Sequence, residues 1–141
     1  MDVIKNEKLR EISAGEWEGK KFDELVVDYA KDYGVWINHI GYATCTGGES
    51  VEQLGSRIMS ELTKIAEEND GKTVAIGTHA TPIRVAQTII QTGSVKEMEN
   101  IPWTSNASVT VLEYDDGKWS VKAVGLDEHL AEFKTVFPAN A

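Results

Sequence analysis

The chain has one cysteine, Cys45, three prolines, and no apolar run approaching the roughly 18 residues of a membrane-spanning helix. A single thiol excludes an internal disulfide and fits a reducing compartment, so a cytoplasmic location is expected. The opening MDVIKNEK has no apolar centre of the kind a secretion signal needs, and neither export nor membrane insertion is expected. Cations are scarce too. Fourteen Lys and Arg face 23 Asp and Glu, a net charge of −9, and Lys20–Lys21 is the only adjacent basic pair. With no basic stripe to release counterions, neither nucleic acid nor an anionic membrane is an expected partner. What is present is 41% hydrophobic residues with four tryptophans, enough for a real core. A length of 141 residues suits a single domain over 1–141, burying about two-thirds of its unfolded surface.

No repeat, low-complexity tract or linker interrupts the chain. Asp2 to Ile12 reads as a short strand running into a loop. In SAGEWEGK, Gly15 and Gly19 bracket Trp17. Phe22, Leu25, Val26, Tyr29 and Tyr33 then fall at helical spacing, predicting a helix of about three turns. Gly34 to Gly48 is irregular. Ser50 with Gln53 three residues on forms a capping box for the longest helix, whose apolar stripe is Val51, Leu54, Ile58, Leu62 and Ile65 and which Asn69–Gly71 ends. Thr73 to Gly77 reads as a strand, a helix follows from Pro82 to about Gln91, and Val95 to Asn100 could add one more turn. Ser108 to Tyr114 and Lys118 to Val124 are strands joined by Asp115-Asp116-Gly117, a hairpin signal. Strands mixed with helices of this length suggest an α/β sandwich with a mixed sheet.

Two segments could carry chemistry. In TVAIGTHATPIRVA, residues 73–86, an apolar run ends on His79 and a helix starts with Thr81 as its N-cap and Pro82 as its first residue. A helix N-terminus offers unpaired N–H groups and a dipole that favour phosphate or another anion, and a protonatable imidazole adds charge. His79 could equally fill a turn. In LREISAGEWEGKKFDEL, residues 9–25, Glu11, Glu16, Glu18 and Asp23 are candidate acids. Glu11, between apolar Leu9 and Ile12, is the one placed for partial burial and thus for general-acid work. Cys45 with His39 has no supporting ligand cluster, His129 reads as structural, and Thr78, Thr81 and Ser108 lack an activating base.

LREISAGEWEG, GGESVEQLGSRI, VAIGTHATPIRV and NASVTVLEYDDGKW stand in an order and spacing that resemble the histidine phosphatase superfamily. That group includes cofactor-dependent phosphoglycerate mutase, fructose-2,6-bisphosphatase and many phosphomonoesterases. The resemblance runs from about Leu9 to His129, and the loop around Glu11 looks like the phosphatase branch. It implies a three-layer α/β/α sandwich with a mixed sheet, phosphoglycerate mutase-like and incomplete at the N-terminus. It implies Glu11 as proton donor and His79 as the second active-site histidine, with Ala80 and Thr81 completing the phosphate cradle, Ala80 where the family usually has glycine. Gly47-Gly48-Glu49-Ser50 matches a loop at the pocket rim. A small phosphorylated substrate or inorganic phosphate is the implied ligand, with no metal and no organic cofactor. The family's Arg-His-Gly strand, whose histidine is phosphorylated, has no counterpart here: no histidine precedes His39. The expectation is therefore the C-terminal portion of a histidine phosphatase, inactive alone, with a homodimer or swapped oligomer covering the edge at Val74–Ile76. A non-catalytic anion-binding or oligomerising remnant of the same fold is the alternative.

Overall fold

The computed structural model describes residues 3–134. Its longest helix, α3 (Val51–Glu68), forms as the sequence predicts: Ser50 Oγ accepts the Gln53 N–H at 3.1 Å and Gln53 Oε1 accepts the Ser50 N–H at 2.8 Å. Val51, Leu54 and Ile58 are buried to 2% exposure or less and form the centre of the core with Leu25, Tyr33, Ile40, Val85 and Met98. Helix α4 (Ala80–Thr92) packs on α3 and is buried around most of its girth, from Thr81 and Pro82 to Thr88. Its buried cation, Arg84, donates to the carbonyls of Ile101 (2.7 Å) and Met98 (2.8 Å) and stacks 4.2 Å from the Trp103 ring centre. Burial brings its pKa down to about 10, so it stays charged at neutral pH.

The start of α4 differs from expectation. His79, with extended backbone (φ −119, ψ 172), is the N-cap, and Thr81 and Pro82 are the second and third helical residues. Proline is equally harmless there, because the first four helical N–H groups have no partner within the helix.

The helical stretch after Lys21 is longer than its spacing indicates and is broken at Tyr29 (φ −127, ψ 33) into α1 (Phe22–Asp28) and α2 (Ala30–Asn38). Tertiary packing decides this. Tyr29, Tyr33 and Trp36 all set their rings edge-on around buried Trp17, at centroid distances of 6.4, 5.5 and 5.9 Å, which one straight helix ending at Tyr33 would not do. Trp36 thus lies in a helix and not in irregular chain.

The strands confirm one expectation and correct two. β1 (Val109–Asp115) and β2 (Lys118–Leu126) pair antiparallel, Asp115 opposite Lys118 and Tyr114 opposite Trp119. Asp116 (φ 46) and Gly117 (φ 74) supply the two positive angles of a type I′ turn. The hairpin leans on α3 and α4, with Trp119 Nε1 donating to Thr63 Oγ1 at 3.0 Å. By contrast Thr73–Gly77 forms no strand. Among the described residues nothing pairs with it, and Val74 and Ile76 remain 44% and 37% exposed. Val3 to Ile12 is not a strand either. Asn6 Oδ1 accepts the Lys8 N–H at 3.0 Å and turns the chain into a 3-10 helix, Glu7–Leu9, while Asn6 Nδ2 and Lys8 Nζ bind Glu61 on α3. The chain is thus α/β, and of the expected mixed sheet the described residues contain one antiparallel pair. Asp2 and the tail from 135 lie outside the described residues. No described helix is long and apolar enough to cross a membrane.

Candidate active site

The two segments singled out above meet. Glu11, partly buried, accepts the N–H of its neighbour Ile12 on Oε1 at 2.7 Å and the N–H of Thr81 on Oε2 at 3.3 Å. The carboxylate therefore caps α4 from 70 residues away, which is why the helix needs no hydroxyl cap of its own and can begin directly after His79. His79 stands exposed at the same mouth, Ala80 is half-buried and Thr81 buried. Thr78 Oγ1 donates to Leu9 O at 2.5 Å, a second tie between the approach to α4 and the acid loop. Glu11, His79, Ala80 and Thr81, which the sequence flagged separately, are thus one cluster around a helix N-terminus.

The loop carrying Glu11 is held by Glu49, which the family resemblance puts at the pocket rim, and by Arg57, which no motif marks as functional. Arg57, on α3, donates through Nε and Nη2 to the two oxygens of Glu49, at 2.9 and 2.8 Å. Its remaining N–H groups go to carbonyls of the acid loop: Nη1 to Lys8 (2.7 Å) and Arg10 (3.2 Å), Nη2 to Glu11 (3.4 Å). Glu49 Oε2 also accepts the Ser13 N–H at 3.3 Å, and the Glu49 N–H donates to Ser13 O at 2.8 Å. The bonds from Arg57, followed by the Ser13 N–H, hold the Glu49 carboxyl below the usual carboxylate range against the opposing effect of burial. The loops also touch backbone to backbone. A Cβ at Gly48 would run into Ser13 O, and one at Gly15 (φ +58) into Thr46 O and Gly48 N. The signal for this clamp is the order Glu49, Ser50, Arg57, which puts a carboxylate just ahead of the capping box and a guanidinium within the second turn of the helix that the box opens.

The other flagged acids have local duties. Glu16 accepts from the Tyr29 hydroxyl (3.3 Å), Glu18 from the Ala14 N–H (3.1 Å) and Asp23 from the Glu24 N–H (3.1 Å). Cys45 and His39 do not pair: the thiol is buried and pushed up to about 12, whereas exposed His39 meets Glu99 at 3.1 Å. His129 bonds the Ala107 carbonyl at 3.0 Å. Among the described residues no three of His, Cys, Asp and Glu gather closely enough to hold a metal ion. An open depression of about 390 Å³ lies over the clamp, lined by Arg10, Ser13, Gly47, Gly48, Glu49 and Gln53.

Three known proteins frame this arrangement. Phosphoserine phosphatase 1 of Hydrogenobacter thermophilus is 24% identical over 136 residues, which are 94% of this chain and 63% of that protein. The structure of YhfR from Bacillus stearothermophilus superposes with a TM-score of 0.80 at 26% identity, over 86% of this chain and 60% of that one. A phosphoserine phosphatase mutant from Entamoeba histolytica, crystallised with phosphoserine, shares the fold at a TM-score of 0.78 and 20% identity, over 92% and 65% of the two chains. The chain thus spans about three-fifths of the length of these relatives. The family model described as the histidine phosphatase superfamily (branch 1) matches residues 1–127. With that match over most of its length and a shared overall fold, the chain belongs to the histidine phosphatase superfamily, branch 1.

Proposed function

We propose that these residues form the acid-and-phosphate half of a phosphomonoesterase that works through a phosphohistidine, as one domain over 1–141. The observation that carries this reading is the approach of Glu11 Oε2 to the Thr81 N–H, 3.3 Å away at the mouth of the helix that begins directly after His79. In the reacting state phosphate oxygens would take the Ala80 and Thr81 N–H groups, the latter in place of Glu11 Oε2, and would also be met by the His79 ring, whose positive form offsets charge building on the transferring group. Glu11, beside them, is placed to give a proton to the departing alcohol.

The nucleophile is a histidine outside these 141 residues, from an upstream segment or a second chain. Its nitrogen attacks phosphorus, the P–O ester bond breaks, and the electron pair leaves on the alkoxide oxygen, which takes the proton from Glu11. Water then attacks the phosphohistidine. Glu11 recovers a proton from that water, inorganic phosphate departs, and the histidine is restored. The reaction draws on no metal or organic cofactor. Phosphoserine phosphatases among the relatives make phosphoserine the first small phosphomonoester to assay.

These residues alone should hydrolyse phosphoserine and an aryl phosphate no faster than background. Supplying an Arg-His-Gly strand and its helices from a relative should bring turnover. In that reconstituted protein Glu11→Gln should slow substrates with poor leaving groups by roughly 10²–10⁴-fold and good ones far less. Turnover by the chain alone, abolished by His79→Ala, would overturn the mechanism.

A second reading is a cytoplasmic, non-catalytic remnant of the fold that binds anions or oligomerises. The exposure of Val74 and Ile76, with Val109, Val111 and Leu126 at 40–49%, favours its oligomerising form.

A further inference from the structure

We propose that Arg57, with Glu49, is a positioning residue whose task is to turn the Glu11 carboxylate toward the mouth of α4. This inference rests on the reading above for its purpose, and on the hydrogen bonds alone for its geometry. Every N–H of the Arg57 guanidinium is used: two on the carboxylate of Glu49 and three on the carbonyls of residues 8, 10 and 11. An ion pair that served only to tie α3 to the segment just ahead of it would need the first two. The other three fall on the residues that lead into and include Glu11. On its far side Ser13 is fixed through both backbone groups by Glu49. The Glu11 main chain is thereby gripped from both directions, and its χ angles need only reach Ile12 N and Thr81 N.

Charge alone cannot perform this role. A planar guanidinium presents five donors in a fixed fork, whereas an ammonium is a point charge with three. Lysine at 57 could keep the attraction to Glu49 but could not hold the three carbonyls as well. Both partners are largely shielded, with side-chain exposures of 16% and 14%. The donors therefore spend their capacity within the protein and not on water.

The test is a double-mutant comparison read by NMR on the folded chain, and it needs no turnover. In the unaltered protein, Glu11→Gln should displace the amide resonances of Ile12 and Thr81. In an Arg57→Met background the same change should displace Thr81 several-fold less, because the carboxylate no longer faces it. Arg57→Lys should recover the thermal stability associated with Glu49 without recovering the Thr81 displacement. If Arg57→Met fails to fold, Arg57→Lys and Glu49→Gln supply the comparison. An undiminished Thr81 displacement in a folded Arg57 variant, or its full return with lysine, would overturn the proposal. Phosphate added to the unaltered chain is a separate measurement. If it leaves His79, Ala80 and Thr81 unmoved, the phosphatase reading fails while the positioning result stands.

Discussion

Glu11 carries two demands on one carboxylate: the structure shows it as the cap of α4, and the proposed reaction, centred at that helix end, asks it for a proton as well. Cys45 is its opposite among the reactive side chains. It lies close enough to Glu18, Glu49 and Glu11 for their charges to add to the effect of burial, and the thiol is pushed up to about 12. The thiolate is the reactive form, so iodoacetamide at pH 7.5 should modify the folded chain far more slowly than the chain in denaturant, by at least about 100-fold. A mass-spectrometric time course in the two conditions checks this, and comparable rates would mean that the loop of residues 43–48 opens freely. Residue types alone hinted at Glu11 through its apolar neighbours. They do not show that the α4 cap comes from 70 positions away: the capping acceptor is the Glu11 carboxylate, and Thr81, in place of a capping hydroxyl, contributes the N–H that the carboxylate receives.

At the scale of elements, what was legible in the sequence was whatever local chemistry fixes. The Ser50–Gln53 box, the Asp116-Gly117 turn and the stripe of α3 each depend on residues within a turn or two. What was not legible depends on distant partners. The break at Tyr29 follows from the aromatic cluster on Trp17, and the apolar run at 74–76 has no neighbouring strand among the described residues to make it one. The acid loop is of this second kind, because the Glu49–Arg57 pair holds it. Since Glu49 titrates lower in the folded chain than in the unfolded one, its contribution is complete above the unfolded carboxylate range, about pH 4.3, and fades as the pH falls through the folded value. Glu49→Gln should therefore lower stability by about 1–3 kcal/mol at pH 7 and by progressively less below about pH 4. Urea midpoints of both proteins across pH 3 to 7 measure the gap. A gap that stays constant down to pH 3 would remove the charge from the explanation.

For the whole molecule, the run at Thr73–Ile76, unpaired among the described residues, is the feature that weighs most. Unpaired strand-like edges with apolar side chains recruit other chains. We expect a homodimer or a segment-swapped oligomer at micromolar concentration, with Val74 and Ile76 covered. Light scattering with amide exchange decides it. A monomer whose Val74 and Ile76 amides resist exchange would exclude that interface. Folding of the N-terminal segment into the vacant place, the other route to a covered edge, has no support, since Val3 and Ile4 are 84% and 90% exposed.

The Arg57 clamp also bears on the order in which the chain acquires its structure. Its bonds join residues separated by 46 to 49 positions in sequence, apart from the local link to Glu49. Closing so wide a loop is entropically costly, and α3 and the hairpin can form from local contacts without it. The acid loop should therefore settle after the rate-limiting barrier has been crossed. Removing the guanidinium would then shorten the lifetime of the folded state while leaving the speed of folding nearly untouched. In stopped-flow denaturant jumps, Arg57→Lys should move the unfolding limb upward and the refolding limb by less than about a quarter of the total change. A refolding limb that carries most of the effect would place the clamp among the first contacts made.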